Sequence, residues 1–196
     1  PDAIDQSILA DTAQHYRVLD IPGFYTADRS YFHKTLGGYH AAKLNRYEDL
    51  IQRRLAPIVS VGGWYDGDSI LDEPQMAEIG ARLKSGYLAA NMLNATYIIT
   101  ADQQQPLIVN DNAFGNAWLV DQVRWVDGAD AEMAALDASS IDLRHQAVAD
   151  SRFSGSLPSE ASLAPGDTIY LTDYTPNRLT YHAVSYTHLT LPTSDL

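Results

Sequence analysis

The chain has 196 residues, 45% of them hydrophobic, with 13 basic and 25 acidic side chains, a formal charge of −12 and no cysteine. Disulfide frameworks, zinc–thiolate sites and thiol catalysis are therefore excluded. The acidic balance argues against nucleic acid as the main partner, and no apolar run approaches the ~18–20 residues that span a bilayer as a helix.

The sequence opens on Pro1-Asp2, with neither an initiator Met nor a signal-peptide pattern, and on that ground it reads as an excerpt of a longer protein. Residues 2–14 suit a short helix or turn, with Ile4, Ile8 and Leu9 apolar. Residues 16–21 alternate as a strand and are stopped by Pro22-Gly23. A polar and aromatic loop over 24–38 ends in Gly37-Gly38. The spacing then predicts a helix over 39–55, ending before Pro57. It carries an apolar stripe of His40, Leu44, Tyr47, Ile51 and Leu55, beside a basic arc of Lys43, Arg46, Arg53 and Arg54. Residues 56–71 read as a loop around Gly62-Gly63-Trp64. Asp72 as N-cap, Pro74 in the first turn and Gln75 as capping-box partner open a second helix that ends near Asn94. Its expected buried stripe is Met76, Ile79, Leu83, Tyr87 and Ala90.

Residues 97–100 and 107–109 form an expected hairpin, followed by a strand over 117–126, a short helix over 129–136 and a strand over 147–150. Residues 154–166 are rich in Ser, Gly, Pro and Ala and read as a connector, and two strands follow over 168–172 and 178–183. The predicted class is α+β: a helix-rich N-terminal part with a small sheet over 1–145, then the first strands of an incomplete β-sandwich over 146–183. Residues 184–193, VSYTHLTLPT, match a frame translation of a sequencing-library adapter. Residues 184–196 are accordingly expected to be a non-native tail.

The chemistry concentrates early. Residues 29–54 hold Arg29, Lys34, Lys43, Arg46, Arg53 and Arg54 against only Glu48 and Asp49, a net +4 within an acidic chain. A solvated helix face is the default reading of such a run, and an anion site for phosphate or sugar phosphate is the sharper one. Tyr31, Phe32, Tyr39 and Tyr47 add rings for stacking on sugar or for a membrane interface. Gly37-Gly38 offers free backbone N–H groups, but neither a dinucleotide fingerprint nor a P-loop pattern is present, so a tight turn is favoured. His33 and His40 lie seven apart without a zincin pattern, and His40 falls on the apolar stripe, so no metal is expected. Asp66, Asp68, Asp72 and Glu73 do not complete an EF-hand, and no nucleophile elbow occurs.

Four segments follow one another in order: SYFHKTLGGYHAAKLNRYEDLI, AANMLNATYIIT, AFGNAWLVDQVRWVDGADAEMAAL and DYTPNRLTYHA. In that series, over about residues 16–183, the chain resembles the C-terminal extracytoplasmic part of bacterial YfhO-family membrane proteins. Lys34-Thr35-Leu36-Gly37-Gly38-Tyr39-His40 fits the family's order at this turn, whereas Tyr25-Thr26-Ala27-Asp28 stands where the family usually has Asn-Asp. The resemblance implies a polytopic membrane protein of glycosyltransferase-C-like architecture, which takes sugar from a polyprenyl-phosphate carrier outside the cytoplasm, as in lipoteichoic acid glycosylation. It places the catalytic carboxylate in an early loop outside this chain, so no catalytic residue and no cofactor is expected here. This portion would be an accessory, substrate-binding domain on the outer face of the bacterial cytoplasmic membrane. Its partners would be the membrane-embedded remainder of the polypeptide and a polyprenyl-phosphate sugar or envelope glycan, not nucleic acid. The residues assigned to that binding are His33, Lys34, Gly37, Gly38, Tyr39, His40, Lys43 and Arg46. The rival reading is a non-catalytic glycan- or partner-binding module, or a structural cap.

Overall fold

The computed structural model describes residues 1–12, 15–39, 43–64, 86–137, 141–156 and 158–184. The architecture is mixed α+β, with helices mostly in the N-terminal half and strands later. The chain divides into Pro1–Gly115 and Asn116–Leu196. The division falls upstream of residue 145, where composition had suggested it.

In the first unit, α1 (Ala3–Leu9) precedes β1 (Arg17–Asp20) and a short 3-10 turn (Asp28–Tyr31). After α2 (Asn45–Leu50), a π-helical turn (Ile51–Leu55) and α3 (Ala56–Trp64) comes α4, helical over 86–92, then β2 (Ala95–Ile99) and β3 (Leu107–Val109). The sheet order is β1-β2-β3. β1 and β2 run parallel with Val18 opposite Tyr97, and β2 and β3 form the expected antiparallel hairpin with Ile98 opposite Ile108.

Val18 and Leu19 are fully buried, and most residues of β2 are buried. A parallel strand covered on both faces carries a continuous apolar run rather than an alternation. Ile8, Val18, Tyr97 and Ile99 form a core cluster on which Ile4, Tyr16 and Leu107 pack. The rings of Tyr16 and Tyr97 meet edge to face with centroids 5.2 Å apart, a geometry that the ring quadrupoles favour. The Tyr97 hydroxyl donates to Asp11 at 2.6 Å.

The Lys-Thr-Leu stretch before Gly37 extends this sheet. The Val18 amide donates to the Lys34 carbonyl at 3.0 Å, and the Leu36 amide donates to the Val18 carbonyl at 2.9 Å. Tyr47 of α2 then donates its hydroxyl to the Leu36 carbonyl at 2.7 Å, so the helix is tied to the added edge.

The helix departs from its expected bounds at both ends. It begins at Asn45, and Leu44, expected on the buried stripe, is its N-cap residue and 81% exposed. It also continues through Pro57 to Trp64, where a loop was expected. A proline ring clashes with the carbonyl four residues back, here Arg53, and has no N–H to give. The wide turn over Ile51–Leu55 lies at that carbonyl, and a π-bulge is one of the ways in which a helix absorbs such a break. Ile51, Leu55 and Ile58 stay buried through the change of pitch. Arg54, assigned to the exposed basic arc, is 6% exposed and belongs to the interior. The opening of the second helix over 72–85 lies outside the described residues. Its end follows expectation: Ala89 and Ala90 are buried, and Asn94 takes a left-handed φ of 60°, a conformation typical of a residue just past a helix end.

In the second unit, β4 (Gln122–Val126), α5 (Gly128–Asp137) and β5 (Gln146–Asp150) make one strand–helix–strand crossover. β4 and β5 pair in parallel with Arg124 opposite Val148. β4 starts five residues later than the apolar pattern suggested, since residues 117–121 fall outside the ladder. Because β5 pairs with β4, a boundary at 145 would split a single sheet. β6 (Thr168–Thr175) and β7 (Arg178–Val184) form a separate two-stranded hairpin around Pro176-Asn177.

Replacing Tyr47 with Phe removes the tie to the Leu36 carbonyl and keeps the ring. Stability should fall by about 1 kcal/mol in urea unfolding. An unchanged midpoint would mean that the hydroxyl does not hold α2 to the sheet edge.

Candidate functional site

The carboxyl ends of β1 and β2 open onto a cleft of about 440 Å³. In sheets with parallel strands this end is where ligands are usually held. Apolar side chains of Ile4, Pro22 and Ile99 contribute to the lining, with Thr26, Thr100 and the Phe32 ring. Four aspartates, Asp2, Asp5, Asp20 and Asp28, line the cleft with Arg29, which pairs with the first three.

The carboxylates come from two ends of two elements. Asp2 caps α1 and Asp5 occupies its third position. The Asp5 amide donates to Asp2 Oδ1 and the Asp2 amide to Asp5 Oδ2, both at 2.8 Å. This reciprocal capping box satisfies orphan amides at the helix start and holds both side chains still. Asp20 ends β1, and its Oδ1 accepts the Gly23 amide at 3.0 Å. The 3-10 turn delivers Arg29 between them. Its Nη1 reaches Asp5 Oδ1 at 2.5 Å and its Nη2 reaches Asp2 Oδ2 at 2.9 Å, while Nε stands 3.4 Å from Asp20 Oδ2. His33 is wholly buried below this network, with Nε2 3.1 Å from Asp5 Oδ1. An ionised carboxylate can only accept, so the geometry places the His33 proton on Nε2.

These contacts keep the acids ionised. The hydrogen bond from Arg29, helped by the Asp5 amide, lowers Asp2 from its ordinary 3.8 to about 2. Burial pushes Asp5 up, but the Arg29 and His33 hydrogen bonds and the Asp2 amide outweigh it, and its pKa falls below 3.8. Burial likewise works against the charge on Arg29, and Asp2 and Asp5 reverse that effect. Carboxylates held so low are poor general acids near neutral pH. They accept hydrogen bonds, so the arrangement suits binding rather than proton transfer.

The residues singled out from the sequence are distributed differently. His33 reaches the cleft only through Asp5. Lys34 uses its carbonyl in the sheet edge and its side chain is exposed. A Cβ on Gly37 would sit 2.1 Å from the Phe24 carbonyl oxygen, so the glycine permits backbone to pack on backbone. Gly38 has a φ of +112° and donates to that same carbonyl at 2.6 Å. Tyr39 is 80% exposed. Lys43 pairs with Glu48 at 3.2 Å, and Arg46 is exposed on the first turn of α2. His40 lies outside the described residues. None of the seven described residues lines the cleft, so the Gly-Gly turn contributes close packing here. Sequence reasoning missed Asp2, Asp5 and Asp20 and placed Arg29 among solvated cations. The available signals were an Asp-x-x-Asp start to a short helix and an Asp at the end of a strand.

Among the described residues, no group of three or more His, Asp or Glu side chains could hold a metal ion. The chain matches no protein-family model, no curated protein and no solved structure.

Because Asp2 and Asp5 are depressed in the folded state, the stability they contribute is complete above the ordinary carboxylate value. It is lost as pH falls through the folded values. Acid unfolding of the wild type should therefore steepen between about pH 4 and pH 2. Arg29→Met should lose about 2 kcal/mol at neutral pH, since Asp5 and Asp20 stay buried without their cation, and should show a flatter acid limb. An Arg29→Met acid limb as steep as the wild type's would refute the network's role.

Proposed function

We propose that this chain is the extracytoplasmic, glycan-holding portion of a YfhO-type membrane glycosyltransferase-like protein. Sugar transfer itself belongs to the membrane-embedded remainder of the polypeptide. The ordered series of family-like segments supports the family reading. The observation that carries the binding role is the cleft at the ends of β1 and β2, where ionised carboxylates stand beside the exposed ring of Phe32. Fixed acceptors orient sugar hydroxyls, and a ring offers its face to the apolar side of a pyranose. The pKa depression of Asp2 and Asp5 favours holding a ligand over general-acid chemistry. No helix among the described residues is long and apolar enough to cross a membrane, so membrane attachment in this reading lies elsewhere in the polypeptide. The family association makes an envelope polymer the acceptor.

Transfer by the full-length protein in membranes tests this reading. Asp28→Asn with Phe32→Ala should lower transfer about tenfold or more, as expected when a carboxylate and a ring contact are both lost. Protein amount and membrane insertion should not change. Lys34, Lys43 and Arg46 replaced together by Ala should stay near wild type. The reverse pattern would move the substrate to the basic segment. Wild-type transfer by both variants would leave the domain as a structural cap.

A further inference from the structure

Part of the stretch read as a connector returns to β4. Among the described residues, β4 has one partner strand in its sheet, β5. Its other edge is met by residues 159–161. Gln122 and Glu160 stand opposite one another as an isolated antiparallel bridge. The Val123 amide donates to the Ser159 carbonyl and the Ala161 amide to the Asp121 carbonyl, both at 2.8 Å. The Trp125 indole Nε1 donates to Ser159 Oγ at 2.9 Å.

This strap changes what the edge offers. β4 reads Gln-Val-Arg-Trp-Val, rich in β-branched and aromatic residues. A bare edge of that kind is a template for another strand. Ser159 and Ala161 turn backbone groups toward β4, so by the alternation of an antiparallel pair those of Pro158 and Glu160 face away. Proline has no N–H to offer on that side, and Glu160 sets a charge there with its side chain exposed. Both are devices by which natural edges resist pairing. The strap therefore replaces an adhesive edge with a blunted one.

It is also lightly held. β4 pairs with β5 over its whole length, whereas the strap has the three bonds just named, and Pro158, Ser159 and Glu160 are all exposed. Each such bond shifts an open–closed balance by about fivefold. Together they favour closure by no more than about a hundredfold, since ordering the strap works against them.

We infer that residues 158–161 are a displaceable strap: closed, they cap the outer edge of β4, and open, they free it to pair antiparallel with the same edge of a second copy of this chain. A two-fold pairing centred on Val123 sets Gln122 opposite Arg124 of the second copy and brings no like charges together, whereas one centred on Arg124 sets two guanidinium groups face to face. None of these residues lines the cleft, so the inference is independent of the glycan-holding role.

Hydrogen exchange of the 196-residue chain, read by NMR, tests the opening. The Val123 amide, held by the strap, should exchange about tenfold or more faster than the Gln122 amide, which donates to the His145 carbonyl at 3.1 Å on the β5 side. Equal rates would mean that the strap opens only with the sheet and would overturn the inference. Ser159→Ala removes the acceptor of the Trp125 indole and should speed Val123 about fivefold with Gln122 unchanged; an unaltered Val123 rate would count against the strap. Ala161→Pro added to Ser159→Ala also takes away the donor to the Asp121 carbonyl. In sedimentation velocity this double variant should dimerise at concentrations about tenfold or more below the wild type. Adding Gln122→Arg, which then faces Arg124 of the second copy, should return it to monomer. A folded double variant that stays monomeric, or association that Gln122→Arg does not relieve, would refute pairing through β4. Circular dichroism reports folding; if the double variant unfolds, Ser159→Ala alone carries the sedimentation test, with an expected shift of about fivefold.

Discussion

Arg29 sets all three of its side-chain nitrogens against the carboxylates of Asp2, Asp5 and Asp20. Those acids sit at the start of α1 and the end of β1, so one guanidinium fixes the approach of a helix to a strand. The same cation brings the 3-10 turn into place and sets Phe32 at the cleft. Buried His33 completes the arrangement by donating to Asp5. A cluster with more carboxylates than cations is stable only while every acid has donors, and here backbone amides of Asp2, Asp5 and Gly23 provide them. The bonds that shape the cleft and the bonds that hold the helix to the sheet are therefore the same set.

The Gly-Gly segment has its own part in that frame. Residues 34–36 lengthen the sheet beside β1, and Gly37 and Gly38 let the chain close onto the Phe24 carbonyl. A side chain at Gly37 would displace Phe24, a core residue only 2% exposed, and one at Gly38 would be strained by its φ of +112°. Exposed Tyr39 follows directly from the turn, and Tyr47 of α2 then returns to the Leu36 carbonyl. The motif thus contributes through backbone packing, and its lysines are not assembled around one point.

Much of the fold was legible from local pattern. The β2–β3 hairpin and α5 follow from apolar spacing and turn residues, and β1 and β5 fall within a residue of their expected bounds. The errors have physical causes. Pro57 signals a helix end by its missing N–H and its ring, yet a wide turn upstream removed the clash and buried Ile58 rewarded continuation. Arg54 belongs to a basic arc by helical angle, but the change in pitch over Ile51–Leu55 turns it inward. Composition changes between β4 and β5, whereas parallel pairing across α5 joins them in one sheet.

By itself the sequence determined the acidic balance, the freedom from cysteine chemistry, the α+β class and the aromatic, glycine-centred segment. Each of these depends on residue types or on periods of two to four residues, which local geometry enforces. The cleft was decided only by tertiary structure. Its residues lie at positions 2–5, 20–32 and 99–100, and they meet because β1 and β2 pair in parallel with Val18 beside Tyr97. No local rule links an N-cap aspartate to the far end of a strand. Burial of the sheet on both faces brings them together, and the charge on Arg29 holds them there.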